Sequence, residues 1–197
     1  MKKNALSIII ALAFTAGALI TGYLSLGWLV MLIFSAGYLG GFILWLLVPS
    51  RGSFAAIKYP YWLTLVFFIL LHKPEEKYMK FFETISAITG VAVPEATSVP
   101  VILMLIIGTV PWLLVPILIK RGYELGYYFA WTLFACMGIT ELAHFLVFPF
   151  LVDGPYTYFP GMASVIVLAP IAWWGMYRLA KNSNDPKPEN YEAATKG

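Results

Sequence analysis

Two short stretches carry the residue types that acid–base or metal chemistry needs. The first is His72-Lys73-Pro74-Glu75-Glu76, which follows directly on the uncharged run from Tyr59 to Leu71. The second is Glu141-Leu142-Ala143-His144. The chain has only two histidines, and each stands three or four residues from a carboxylate, the spacing that puts two side chains on one helix face. Carboxylates and imidazoles projecting inward from bundle helices can bind a divalent ion. The same groups without a metal can act as acid and base, because low dielectric raises a carboxyl pKa and a neighbouring histidine relays protons. Spacing leaves both chemistries open, so the candidate catalytic residues are His72, Glu75, Glu76, Glu141 and His144. His72, Glu76, Glu141 and His144 form the candidate ligand set for a divalent metal ion.

The elements that position these residues are membrane helices. Of the 197 residues, 60% are hydrophobic and 12% charged, against ~25% charged in a soluble domain. This composition gives an all-α, polytopic membrane bundle with the bilayer as its partner and no nucleic acid. Six spans are expected, near 5–22, 27–48, 60–82, 99–119, 127–148 and 161–179, forming one domain from 1 to 180. A polar tail, 181–197, is expected to be disordered. The basic start Met1-Lys2-Lys3 resembles a signal peptide, but no charge appears from Ala5 to Val48, far longer than a signal core of ~7–15 residues. The lone Cys136 lies in an apolar run and builds no disulfide framework.

Basic residues set the orientation. Lys2, Lys3, Arg51, Lys58, Lys120, Arg121, Arg178 and the tail lysines fall on one side, and Lys73, Lys77 and Lys80 on the other. The positive-inside rule then places both termini in the cytoplasm of a cell inner membrane. With a rise of ~1.5 Å per residue, His72 lies ~18 Å from Pro60 and Glu141 ~21 Å from Tyr127, so both motifs reach the same outer-half depth. On the third helix His72, Glu75, Glu76 and Glu83 share a broad face, with the three lysines beside it. Pro74 removes the hydrogen bond to the Leu70 carbonyl and should distort the helix there. The polar stretch after Glu83 is expected to be an external connection with a short interfacial piece.

Ionisable groups at depth are costly and are functional candidates by default. Two plainer readings stand beside that one: Glu75 and Glu76 as a solvated helix rim, and Glu141 with His144 as a packing pair. Trp173, Trp174 and Tyr158 are weaker candidates for a substrate pocket.

At these residues the chain resembles the HXXEE family of small prokaryotic integral membrane proteins. The likeness rests on His72-Lys73-Pro74-Glu75-Glu76, on His144, and on the turn Tyr158-Phe159-Pro160-Gly161, and covers about 65–180. It supports these site residues rather than a reaction. A looser likeness is to the emopamil-binding sterol isomerase group, with His72, Glu76, Glu141 and Trp173 or Trp174 at the matching positions. That resemblance implies carbocation chemistry in an apolar cavity; the Asn that precedes the Trp by three in that group is replaced here by Pro170 or Ile171. The expected function is a membrane enzyme, an isomerase, cyclase or metal-dependent enzyme, acting on a lipid or isoprenoid-like substrate, so that a lipid or hydrophobic small molecule is its expected partner. A carrier of protons, metal ions or a small solute is the alternative, and a non-catalytic partner protein docking through the first two helices is another.

Overall fold

A computed structural model describes residues 3–49, 52–95, 97–152 and 154–181. The expected polar tail beyond Lys181, and Lys2 and Arg51 of the charge count, lie outside the described residues. Among those described, every regular element is a helix and there is no strand. Five helices are long and apolar enough to cross a membrane.

Helix α1 (Ala5–Leu26) starts at Asn4, whose side chain accepts from the Leu6 N–H, and stops at Gly27. Gly27 has φ 88°, a region open to glycine without cost, and the chain turns there with no further loop into α2 (Trp28–Leu47). The third crossing runs unbroken from Lys58 to Tyr78 in three pieces, α3 (Lys58–Phe67), a π-helical turn (Phe68–His72) and α4 (Lys73–Tyr78). Pro74 explains the change of winding. It has no N–H and its ring clashes with the preceding turn, so the backbone widens just ahead of it. Lys58, Lys73, Glu75, Glu76 and Lys77 all fall within this crossing, and five helices rather than the six expected are both long and apolar enough to span.

The crossing also ends earlier than the expected 82. Lys80 adopts a left-handed conformation, φ 58°, and α5 (Phe81–Thr89) turns back so that Phe81 and Ile85 are buried. Glu83 is thereby carried off the His72 face and is exposed. Next come α6 (Val99–Lys120), which keeps its helix through Pro111 and Pro116, and α7 (Glu124–Gly138). Past α7 the winding tightens to a 3-10 turn (Thr140–Leu142), then α8 (Ala143–Leu146) and a second 3-10 turn (Phe148–Phe150). The last helix is α9 (Met162–Lys181).

Helix α7 is the axis of the bundle, buried at every position from Tyr128 to Gly138. Its neighbours reach it through small residues. A Cβ on Gly37 of α2 would lie 2.6 Å from Cys136 Sγ, and one on Gly41 2.8 Å from Thr132 Cα, so this Gly-xxx-Gly face lets the two backbones touch. Two buried polar pairs tie neighbouring helices to α7: Thr15 and Tyr128 hydroxyls are 2.7 Å apart, and Trp112 Nε1 donates to Thr132 Oγ1 at 3.2 Å.

Candidate metal centre

The π-helical turn delivers His72, and α4 delivers Glu76 one turn on; the 3-10 turn after α7 delivers Glu141, and α8 delivers His144. The four side chains meet. His72 Nε2 lies 3.2 Å from Glu76 Oε1 and 3.1 Å from Glu141 Oε2. His144 Nε2 lies 3.0 Å from the same Glu141 oxygen and 3.7 Å from the same Glu76 oxygen. All four donor atoms fall within 4.8 Å of one another, and the set could hold a metal ion.

The outer nitrogen of each ring fixes its tautomer. His144 Nδ1 is hydrogen-bonded to the Pro160 carbonyl, which can only accept, so Nδ1 carries the proton. His72 Nδ1 lies 2.9 Å from Ser164 Oγ, and that hydroxyl spends its own proton on the Gly161 carbonyl at 3.1 Å. His72 Nδ1 is therefore also the donor. Both Nε2 atoms of the neutral rings then turn lone pairs toward two carboxylate oxygens, and this gathering of acceptors needs a cation among them, either a metal ion or protons on the rings. His72 Nε2 is buried and no hydrogen bond closes on it, although two carboxylate oxygens lie within 3.2 Å.

The spacing fits an ion. Bonds of ~2.1 Å in a tetrahedron put neighbouring ligand atoms ~3.4 Å apart; four of the six pairs here lie 3.0 to 3.7 Å apart, and all six lie within 4.8 Å. Outer-nitrogen bonds to a carbonyl and a hydroxyl are the usual support for metal-bound imidazoles. The cluster is dry: His72 stacks on Phe68 at 5.8 Å, and Phe81, Phe148 and Phe159 surround His144 at 5.3 to 5.7 Å.

Glu75 and Glu76 have different duties. Glu76 joins the histidines and pairs on its outer oxygen with Lys73. Glu75 points along α9 instead, accepting from the N–H groups of Gly161 (3.2 Å), Ala163 (3.1 Å) and Ser164 (2.8 Å) and from the Tyr158 hydroxyl. A carboxylate from another helix thus caps the unpaired first N–H groups of α9 and meets the positive end of its dipole. Tyr158 keeps its proton, because burial and then the Glu75 carboxylate raise its pKa above the ordinary tyrosine value.

No family model, curated protein or solved structure matches this chain. The motif residues His72, Glu75, Glu76, His144, Tyr158 and Gly161 divide between two tasks. Of these, His72, Glu76 and His144 are in the cluster, Glu75 and Tyr158 anchor α9, and Gly161 packs under both rings. Gly161 has φ 98°, and a Cβ there would lie 2.5 Å from His144 Nδ1 and 3.0 Å from His72 Cε1.

Trp173 and Trp174 stand apart from the four ligands on α9. The Trp173 indole donates to the Gly138 carbonyl at 2.6 Å. This occupies the acceptor that an unbroken α-helix would offer to Leu142, and the Leu142 N–H turns to Ile139 at 3.2 Å instead. Trp173 thus supports the tight turn that aims Glu141. Trp174 is exposed on the bundle surface. The residues that sequence reasoning missed are Ser164 and the Pro160 carbonyl. The Pro-Gly turn leading into the last helix was the visible signal for both, since such a turn brings a helix start and its polar first turn to one point.

Proposed function

We propose that this chain is a membrane-embedded enzyme built on one divalent metal ion, held by His72, Glu76, Glu141 and His144, that acts on a lipid or isoprenoid-like substrate. The observation that carries the metal reading is the buried His72 Nε2, which faces two carboxylate oxygens without a closed hydrogen bond. With both Nδ1 protons held by Pro160 and Ser164, neither neutral ring has an N–H left to place on these carboxylates. Two neutral imidazoles and two carboxylates make a neutral complex with a divalent ion, and the donor set without thiolate suits zinc, manganese or ferrous iron. Cys136 is not among these donors. Bound there, the ion supplies Lewis acidity or an activated water.

The substrate class follows from the surroundings. Ile69, Leu70 and Leu71, just ahead of His72, are exposed and apolar, so the ground outside the centre is hydrocarbon, while Glu141, its side chain 12% accessible, is the most accessible of the four ligands. On the charge distribution, the centre belongs to the outer half of a cell inner membrane with both termini cytoplasmic.

The test is to load the purified chain with Zn2+ or Mn2+, incubate it with membrane lipid extract and follow the lipids by mass spectrometry. The enzyme reading expects one lipid class to be consumed by the chain and not by Glu141→Ala. A loaded chain that alters no lipid but moves the ion across liposomes replaces it with the carrier reading.

A further inference from the structure

Lys73 is unusual among the charged residues. It lies one residue from His72, its ammonium pairs with the outer oxygen of Glu76 and sits 4.9 Å over the Phe68 ring, yet its side chain is 44% accessible. Glu76, its partner, is 9% accessible. A half-open cation thus stands on a ligand carboxylate at the edge of a dry cluster. Lys77 lies one helical turn farther on the same face of α4, and Lys80 follows at the break; both are exposed. This basic track is at the end of the bundle away from Arg178 and Ala56, on the side where the charge rule disfavours lysine.

The charges do not balance around the proposed ion. The two ligand carboxylates neutralise a divalent cation, and the Glu75 carboxylate is committed to the N–H groups of α9. Lys73, Lys77 and Lys80 then carry three positive charges against the two remaining carboxylates, Glu75 and Glu83, an excess of one, and Lys73 is the lysine that stands beside the apolar surface. From this we propose that the centre takes an amphiphile with a phosphate head, whose oxygens lie against Lys73 and the metal while its chain runs over Ile69 to Leu71. Lys77 then draws the head in from the surface. The proposal rests on the metal reading and names the substrate class for the same site.

Full-length chain in zwitterionic-lipid nanodiscs is loaded with Co2+, whose visible spectrum reports the centre, and is titrated with dodecyl phosphate, dodecanol and inorganic phosphate. Dodecyl phosphate should shift the Co2+ band and bind; dodecanol should not. Inorganic phosphate should bind at least about tenfold more weakly. With Co2+ kept at saturation, because losing the Lys73 partner of Glu76 should itself cost metal affinity about tenfold, Lys73→Gln should weaken dodecyl phosphate about tenfold or more, the loss of one charge-assisted hydrogen bond. Lys73→Arg should retain binding, which guards against misfolding of the first variant. Equal binding of dodecanol, or indifference to Lys73→Gln, overturns the amphiphile proposal while leaving the metal centre standing. Inorganic phosphate binding as tightly as dodecyl phosphate assigns the site to free phosphate and overturns it too. Absence of any Co2+ band removes the metal reading and the proposal together.

Discussion

The two ends of the bundle both bury polar side chains, and they satisfy them in opposite ways. At the end carrying Asn4 and Arg178 donors pair one to one with acceptors, the buried Trp45 indole excepted. Tyr61 donates to the Trp112 carbonyl at 2.6 Å, Tyr127 to Gly52 at 2.8 Å, Arg178 Nε to Ala56 at 2.9 Å, and the Asn4 N–H to Glu124 at 2.9 Å. At the other end four acceptors converge and the network supplies no donor between them, because Ser164 and Pro160 hold both imidazole protons on the far side of the rings. Buried polarity alone therefore does not mark a site in a membrane bundle, since one-to-one pairing is ordinary interhelical glue. An excess of lone pairs aimed at one point does.

That contrast can be broken from either end. The largest effect is expected from Glu141→Ala, whose Oε2 touches both rings; metal binding should fall by at least about a thousandfold, measured by Co2+ titration, while the helical circular dichroism is retained. Gly161→Ala comes next. Its Cβ strikes both imidazoles at a positive φ, and the chain should lose both metal affinity and about 2 kcal/mol of stability, read as titration and thermal unfolding together. Glu75→Gln keeps the shape and removes the charge that anchors α9, so it should lower metal affinity about tenfold through Ser164, as outer-shell changes do, with the ligands themselves intact. Tyr127→Phe at the opposite end is the control: about 1 kcal/mol of stability and no change in metal affinity.

Much of the site was legible in the chain because it depends on local rules. The i to i+4 and i to i+3 spacings of His72–Glu76 and Glu141–His144, together with equal depth, point these residues at one another. The division of labour between Glu75 and Glu76 was not legible, because it is settled by α9 returning with its first turn beside α4, a contact across 89 positions of sequence. The fold-back of α5 was also hidden. It depends on a left-handed Lys80, a conformation few residues other than glycine adopt, which the burial of Phe81 and Ile85 stabilises. Pro74 was expected to disturb its helix, and the π-helical turn that carries His72 is the form that disturbance takes. The all-helical membrane character followed from composition, whereas the stretch that carries His72 and its charged neighbours is not among the five long apolar helices.

Metal content with ligand identity tests the central claim most directly. X-ray absorption on the purified, zinc-loaded chain should give one ion per chain with two imidazole nitrogens and carboxylate oxygens at ~2.0–2.2 Å, and His72→Ala or His144→Ala should each remove one nitrogen scatterer or the ion itself. Zinc that binds with no histidine signature, or that is held equally well after both substitutions, would contradict the account.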